Sequence, residues 1–229
     1  DLGRVARDLR VSLTDRCNLR CSYCMPPEGL DWLPTEETLT DAEVVRLVRI
    51  GVERLGIRQV RFTGGEPLLR RGLEGIIAEC SQLRTDEGRA PDLALTTNAL
   101  GLAKRAQGLR DAGLDRVNIS LDSLDREHYA AITRRDRLGD VLEGIEAAAR
   151  EGLSPIKVNT LVLRGMNEAD LPDLVDYCLD RGIELRVIEQ MPIGPVDTWD
   201  RQNILTADEI LHIMRSEERR VGKECVSTC

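Results

Sequence analysis

The stretch TDRCNLRCSYCMPP, residues Thr14–Pro27, contains three cysteines in the spacing C-x3-C-x2-C. They are Cys17, Cys21 and Cys24, and they closely follow a run of strand-forming residues, Leu9–Thr14. A structural zinc ion usually takes four protein ligands, and a disulfide joins two cysteines. Three thiolates on one short loop therefore predict a metal centre in which one position is left open.

Short β-rich runs alternate with amphipathic segments along the whole chain. The six runs are Leu9–Thr14, Gln59–Gly65, Asp92–Asn98, Arg116–Asp122, Ile156–Leu163 and Glu184–Gln190. This alternation predicts a parallel sheet with right-handed βα crossovers. The clearest helix should begin at Thr40, which forms a capping box with Glu43, and end at Gly56.

Polar residues or glycines end most of these runs. They are Thr14, Thr63–Gly65, Thr96–Asn98, Ser120, Asp122 and Glu189–Gln190. The carboxyl ends of parallel strands share one edge of the sheet, and binding sites in such folds form there. That edge is therefore predicted to bind a ligand.

Composition and charge indicate a soluble globular protein and argue against a protein that binds nucleic acid or membranes. The chain has 229 residues, 41% of them hydrophobic and 31% charged, which is typical of a soluble globular protein. A net charge of −8 argues against general attraction to nucleic acid or to an anionic membrane. There is no apolar run of membrane-spanning length and no apolar signal segment. Of seven cysteines, three cluster within one loop, so we expect a reducing, cytoplasmic compartment.

Two kinds of metal centre are compatible with three cysteine ligands. A cubane iron–sulfur cluster held by three thiolates keeps one iron open for a small molecule. A structural zinc site requires a fourth ligand, for which the candidates are His128, Cys80 and Cys178. Nothing in the sequence brings them near the loop, and both of these cysteines occur in helical patterns typical of buried thiols. The spacing therefore favours iron–sulfur over zinc.

The cysteine spacing resembles the signature of the radical S-adenosylmethionine (radical SAM) superfamily. Tyr23, directly before the third cysteine, fits that superfamily, in which an aromatic residue there lies close to the adenine of SAM. The sequence TGGEP, Thr63–Pro67, occurs where the superfamily has its glycine motif for the methionine amino group. The resemblance implies an α/β fold, an incomplete (β/α)6 TIM-type barrel.

Longer segments resemble one family of that superfamily, the GTP 3′,8-cyclase (MoaA) family of molybdenum cofactor biosynthesis, from about residue 2 to residue 214. The segments are LRVSLTDRCNLRCSYCMP, RFTGGEPLLRR, LTTNA, DAGLDRVNISLDSLD, KVNTLVLRGMN and RVIEQMPIG. This resemblance implies a lyase that converts GTP into 3′,8-cyclo-7,8-dihydro-GTP through a 5′-deoxyadenosyl radical.

The resemblance also implies roles for individual residues. Cys17, Cys21 and Cys24 correspond to the ligands of the [4Fe–4S] cluster that binds SAM. The positions for SAM are Tyr23, Gly65, Ser120 and Met191, and the positions for GTP are Arg10, Arg61, Thr96 and Lys157. Further basic residues near the predicted strand ends are Arg70, Arg71 and Arg186. A few convergent basic side chains can hold a triphosphate although the whole chain is acidic.

Without the family resemblance, several of these residues could have ordinary structural roles instead of binding SAM or GTP. Met191 taken alone is more typical of a core residue, and Ser120 could cap the following helix. Arg10 in a strand pattern is commonly a surface charge, and Arg70 with Arg71 could form a solvated first turn.

The family also implies partners. They are GTP, an electron donor such as flavodoxin or ferredoxin, a downstream enzyme that forms the cyclic pyranopterin, and a second copy in a homodimer. Neither a nucleic acid nor a membrane is expected.

The chain departs from the family pattern at two places. The family has TTNG where this chain has Ala99 after Asn98, and we expect this position to need no positive φ. The second three-cysteine cluster of the family is not found before residue 215. We therefore expect SAM cleavage without GTP cyclisation from this chain.

Two domain segments are predicted. Residues 1–215 form the radical SAM core barrel without the second-cluster segment, and a second capping box, Thr206 with Glu209, begins its last helix. Residues 216–229 resemble the translation of a sequencing adapter, and we expect them to be a non-native tail in which Cys225 and Cys229 have no role.

Two alternative functions remain open at this stage. Another radical SAM maturase could share this N-terminal half, although Arg10, Arg61 and Lys157 suit a phosphate-bearing substrate better than a peptide. A zinc-binding module without catalysis would account for the cysteines alone.

Overall fold

The computed structural model describes residue 3 and residues 5–191 and 204–215. The strands are β1 (Asp8–Ser12), β2 (Gln59–Thr63), β3 (Asp92–Thr97), β4 (Arg116–Ser120), β5 (Ile156–Leu161) and β6 (Glu184–Ile188). The helices are α1 (Asp41–Leu55), α2 (Leu73–Ser81), α3 (Leu102–Asp111), α4 (Arg126–Thr133), α5 (Leu138–Arg150) and α6 (Leu171–Asp180). Residues 207–215 are also helical. All six predicted runs contain a strand, and each strand ends one or two residues before its predicted end.

The strands form one sheet in the order β1-β2-β3-β4-β5-β6. The pairs β1–β2, β2–β3 and β3–β4 are parallel. A six-stranded sheet in sequential order, with helices between the strands, confirms the predicted incomplete TIM-type barrel.

The chain divides into two compact units, each built from separate segments. The first contains Asp1–Asn18, Asp31–Ser120 and Gly139–Lys157. The second contains Leu19–Leu30, Leu121–Leu138 and Val158–Cys229. The domain boundaries predicted at residues 215 and 216 stay a prediction, and the predicted tail, residues 216–229, lies outside the described residues.

In the first unit, the two faces of the sheet differ in polarity. One face carries fully buried apolar side chains, namely Val60, Phe62, Leu93, Leu95, Val117 and Ile119. Helices α1, α2 and α3 each bury one apolar stripe, and these stripes contribute to the core of this unit. The other face carries arginine, threonine and asparagine side chains, so it is the face on which a polar ligand can be held.

Local sequence signals set the ends of α1. The Thr40 hydroxyl accepts a hydrogen bond from the Glu43 amide, and the Glu43 carboxylate accepts one from the Thr40 amide at 2.8 Å. Gly56 ends the helix in the left-handed conformation with a φ of 73°. The predicted capping box and glycine stop are both confirmed.

The second unit has its own small core. Its buried members are Val162, Leu171, Leu205 and Ile210. The helix at residues 207–215 begins at Thr206, whose amide donates to the Glu209 carboxylate at 2.9 Å, and this confirms the second capping box. The segment Leu19–Leu30 is held to the end of α4, because the Arg20 amide donates to the Thr133 carbonyl at 3.1 Å.

One expectation about the backbone is wrong. Ala99 has a φ of +64° and is fully buried, so the turn after β3 does require the left-handed region. An alanine there costs about 1–2 kcal/mol relative to glycine. Hydrogen bonds to the flanking residues hold the turn in this conformation despite the cost, since the Ala99 amide donates to Thr97 Oγ1 at 2.9 Å.

Among the described residues, every helix is too short or too polar to cross a membrane.

Candidate functional site

The cysteine loop begins against the glycine loop that follows β2. The Gly65 amide donates to the Thr14 carbonyl at 2.6 Å, and the Glu66 amide donates to the Arg16 carbonyl at 2.7 Å. A Cβ atom on Gly65 would overlap the carbonyl oxygens of Asp15 and Arg16. The two glycines of TGGEP therefore allow the two loops to lie backbone against backbone.

Arg70 fixes the start of the same loop from another side. Its guanidinium donates to the Leu13 carbonyl at 2.7 Å, to the Leu39 carbonyl at 2.7 Å and to the Asp41 carboxylate at 2.6 Å. Only 13% of its side chain is exposed. This arginine thus ties the end of β1 to the start of α1, and the reading of Arg70 as part of a solvated first turn is wrong.

Glu66 is the central buried polar group of the first unit. Its carboxylate accepts hydrogen bonds from the Leu68 amide at 2.9 Å, from Thr97 Oγ1 at 2.7 Å and from the Asn98 amide at 2.7 Å. Burial raises the pKa of Glu66, although these donors and the nearby Arg105 oppose that shift. One carboxylate therefore joins the turn after β2 to the turn after β3.

Asn98, which is bonded to Glu66 through its backbone amide, also lies close to the first cysteine through its side chain. Its side-chain amide donates to Asn18 Oδ1 at 2.7 Å and lies 4.0 Å from Cys17 Sγ. Within the first unit, the carboxyl ends of β1, β2 and β3 thus meet around Cys17.

In the second unit, Tyr23 is bonded to a buried carboxylate. The Tyr23 hydroxyl donates to Asp122 Oδ2 at 2.8 Å, and Asp122 Oδ1 accepts from the Leu161 amide at 2.9 Å. Burial raises the pKa of Asp122 to about 6. Burial, and then the Asp122 charge, raises the pKa of Tyr23 well above its usual value. This pair holds the ring beside the third cysteine in one orientation.

The polar face of the first unit brings two predicted GTP residues together. Arg10 on β1 is the direct register partner of Arg61 on β2. Both line a cavity of about 500 Å³, together with Arg116 on β4. Neighbouring positions on parallel strands place their side chains on the same face, so this face presents adjacent cationic groups.

Two further predicted GTP residues are half-buried in the same unit. Thr96 on β3 accepts a hydrogen bond from Asn118 Nδ2 at 3.3 Å. Lys157 lies on β5 and is partly exposed.

The remaining predicted residues lie at different places. Ser120 ends β4 and is half-buried in the first unit. Met191 in the second unit is 58% exposed, so its reading as a core residue is wrong. Arg71 is exposed, and Arg186 pairs with Glu184 at 2.8 Å on β6.

The three loop cysteines have the chemistry of cluster ligands. Among the described residues, none of the three is joined in a disulfide, and Cys17 and Cys21 are half-buried while Cys24 is exposed. Thiolates are the usual ligands of iron–sulfur clusters, and each binds a different iron of a cubane. The donor set therefore fits a cluster bound through three cysteines.

The zinc alternative receives no comparable support. The three candidates for a fourth zinc ligand all lie in helices, Cys80 in α2, His128 in α4 and Cys178 in α6. Cys80 and Cys178 are buried, which confirms their expected role as core thiols, and burial raises the pKa of these thiols to about 12 and about 11. His128 is an exposed residue of α4 whose side chain pairs with Asp170.

Comparison with known families agrees with this site. Residues 11–178 match the model of the Radical SAM superfamily. The chain belongs to the radical SAM superfamily. Membership in this superfamily implies a [4Fe–4S] cluster and SAM as cofactors, which accounts for the three cysteines on the loop after β1.

Curated relatives within the radical SAM superfamily are similar over nearly all of the chain. The GTP 3′,8-cyclase of Corynebacterium glutamicum (strain ATCC 13032) is 63% identical over 217 residues, which are 95% of this chain and 57% of the relative. The GTP 3′,8-cyclase of Mycobacterium marinum is 56% identical over 217 residues, 95% of this chain and 59% of the relative. The chain thus spans somewhat more than half the length of these relatives.

Solved radical SAM structures share the fold. The structure of Streptococcus suis SuiB bound to S-adenosylmethionine matches with a TM-score of 0.69 at 16% identity, over 96% of this chain and 45% of that one. Methylornithine synthase (PylB) matches with a TM-score of 0.65 at 13% identity, over 93% of this chain and 62% of that one. At these identities the likeness concerns the fold alone.

Three residues that shape the site were given no individual role from the sequence, although two of them, Asn98 and Asp122, were placed at the polar strand ends. They are Glu66, Asn98 and Asp122. Each occurs inside a quoted motif, in GGEP, LTTN or SLD. A polar residue directly after a buried strand was the available signal, but its partner is distant in sequence.

Proposed function

We propose that this chain is the SAM-cleaving part of a GTP 3′,8-cyclase. The observation that carries the proposal is the loop of three cysteines after β1, whose first cysteine is held against the turns after β2 and β3. The printed name of the 63% identical relative supplies the substrate and product class. The adjacent Arg10 and Arg61 support a phosphorylated substrate.

Three sets of residues would bind the cluster, SAM and GTP. Cys17, Cys21 and Cys24 would hold the cluster through three of its irons. The positions proposed for SAM are Tyr23, Gly65, Ser120 and Met191, and those proposed for GTP are Arg10, Arg61, Thr96 and Lys157. When bound, the cluster would supply the electron for reductive cleavage of SAM, and SAM would be the source of the radical that takes a hydrogen atom from C3′ of GTP.

The protein's own contribution is position and charge. Arginine and lysine side chains would hold the triphosphate by charge-assisted hydrogen bonds, which are stronger than neutral ones. Fixing the ribose close to the radical matters because small misplacement is costly to rate. Cysteines that act as cluster ligands must stay reduced, so we also propose a reducing, cytoplasmic setting. The electron donor that we propose is a protein such as flavodoxin or ferredoxin.

The test is anaerobic reconstitution with iron and sulfide. We expect brown protein that contains iron and sulfide and that produces 5′-deoxyadenosine from SAM on reduction. Cys17→Ala, Cys21→Ala and Cys24→Ala should each abolish that product, with Cys80→Ala as the matched control. Colourless protein that binds zinc would overturn the proposal in favour of the zinc module.

Cyclisation of GTP is scored separately. The chain alone is compared with the chain joined after residue 215 to the C-terminal residues of the Corynebacterium relative. We expect the chain alone to make 5′-deoxyadenosine slowly, and the joined protein also to make cyclised GTP. Cleavage of SAM without cyclisation by the joined protein would favour another radical SAM maturase.

A further inference from the structure

The side-chain amide of Asn98 has only one orientation that satisfies its neighbours. Asn98 is buried directly after β3, and its Oδ1 accepts a hydrogen bond from the Leu100 amide at 3.0 Å. Because a backbone N–H can only donate, the oxygen must face Leu100 and the NH2 group must face away. The NH2 group then points toward Asn18 Oδ1 at 2.7 Å and Cys17 Sγ at 4.0 Å.

The amide has one hydrogen for each of these two acceptors. The first satisfies Asn18, so the second is directed to the sulfur of Cys17. An N–H···S contact of 4.0 Å is long for a neutral thiol. A thiolate is a stronger acceptor than a thiol, so the contact strengthens when Cys17 is a metal ligand.

The turn that carries Asn98 is held rigidly. The fully buried Glu66 carboxylate accepts from the Asn98 amide at 2.7 Å and from Thr97 Oγ1 at 2.7 Å. Thr97 Oγ1 also accepts from the Ala99 amide at 2.9 Å. The backbone on both sides of Asn98 is thus fixed, and its side chain is aimed at Cys17.

We propose that Asn98 is a positioning residue that donates a hydrogen bond to the Cys17 thiolate and raises the reduction potential of the bound cluster. The inference rests on the proposed function, since it requires a cluster on Cys17. Reduction adds one electron whose charge spreads onto the sulfur ligands. A donor at a sulfur stabilises the reduced state more than the oxidised state, and such bonds are one determinant of cluster potentials.

The experiment is an anaerobic redox titration of the reconstituted chain, followed by electron paramagnetic resonance. In Asn98→Ser, the hydroxyl oxygen can still accept the hydrogen bond from the Leu100 amide, but the side chain is too short to reach Cys17. In Asn98→Asp, one carboxylate oxygen still accepts from the Leu100 amide, and the other places a negative charge next to the Cys17 thiolate. We expect Asn98→Ser to lower the reduced-to-oxidised ratio at a fixed potential about tenfold, which is about 59 mV for one electron. Asn98→Asp should lower it further, since it adds a negative charge.

Thr97→Val is the matched control. It removes two hydrogen bonds of the same turn, from Thr97 to Glu66 and from the Ala99 amide to Thr97. It keeps the Asn98 side chain, the Asn98 amide bond to Glu66 and the Leu100 amide bond to Asn98, so it should lower thermal stability and leave the potential near that of the wild type. An equal shift in Thr97→Val would overturn the inference, because the effect would then come from a loosened turn.

The remaining outcomes separate this inference from the proposed function. Unchanged potentials in both Asn98 variants with full iron content would overturn the inference alone. Loss of the cluster from both variants would also overturn it, since Asn98 would then be needed for assembly. Failure of the wild type to bind any cluster would overturn the proposed function and this inference together.

Discussion

The amide of Gly65 donates a hydrogen bond to the carbonyl of Thr14 at 2.6 Å, with no room for a side chain between the two backbones. The resemblance to radical SAM enzymes implies that Gly65 lies at the SAM. The structure adds a second reason for a glycine at position 65, because the backbone contact between Gly65 and Thr14 holds the start of the cysteine loop in place.

Gly65→Ala should destabilise the protein and impair cluster assembly. Its Cβ would overlap the carbonyl oxygens of Asp15 and Arg16, and these backbone atoms cannot yield without moving the loop that carries Cys17. Overpacking of this kind costs about 1–3 kcal/mol. Chemical denaturation and iron content are the measurements.

The control for that variant is Gly75→Ala in α2, where a Cβ would meet nothing within 4 Å. It should be neutral or stabilising by about 0.5–1 kcal/mol, because alanine is the better helix former. Equal iron content in Gly65→Ala and wild type would contradict the inference that the backbone contact at Gly65 holds the cysteine loop in place.

Glu66→Gln should destabilise the protein although it removes a buried charge. Three donors converge on the carboxylate, from Leu68, Thr97 and Asn98. Glutamine offers one oxygen and turns an NH2 group toward at least one of these donors, and a buried unsatisfied donor costs about 1–3 kcal/mol. Urea denaturation measures the loss, with exposed Glu79→Gln as the control. A Glu66→Gln protein as stable as wild type would show that desolvation of the charge outweighs its hydrogen bonds.

The ion pair of His128 should make stability depend on pH. His128 Nδ1 lies 2.8 Å from Asp170 Oδ2 and 3.9 Å from Asp125 Oδ1. The hydrogen bond to Asp170, and then the charge of Asp170, raises the pKa of His128 above its usual value. A raised folded pKa means that the contribution is fully present below pH of about 6.5 and is lost as pH rises through the folded pKa.

The measurement is the Tm of wild type and His128→Gln between about pH 5.5 and pH 9. We expect the wild type to be the more stable at the acidic end and the difference to shrink as pH rises. A difference that grows with pH would reverse the sign and exclude this ion pair as its source.

Arg61→Ala and Lys157→Ala should weaken GTP binding and leave SAM cleavage without GTP nearly unchanged. Each would lose a charge-assisted hydrogen bond of about 1.5–3 kcal/mol, which is roughly 10- to 150-fold in affinity. Calorimetry with the joined protein measures this, and exposed Lys104→Ala on α3 is the control. Equal loss of GTP binding and of SAM cleavage would point to a shared role or to misfolding instead.

The sequence by itself determined the features that depend on a few neighbouring residues. Each of the six predicted runs forms a strand, because alternating and β-branched residues encode strands locally. The capping boxes at Thr40 and Thr206 form as predicted, since each joins residues three positions apart. The cysteine spacing identified the superfamily, because three ligands on one loop are close in sequence by necessity.

Only the tertiary structure decided which distant residues meet. The pairing of Arg10 with Arg61 depends on strand register, and the link from Glu66 to Asn98 and Cys17 depends on three separate turns coming together. The positive φ of Ala99 had no local signal, because a packed turn held by Thr97 imposes it against the residue's own preference. Hydrogen bonds between residues far apart in the chain form only when the burial of apolar side chains offsets the conformational entropy lost in bringing those residues together. No short segment of sequence shows which distant residues these will be.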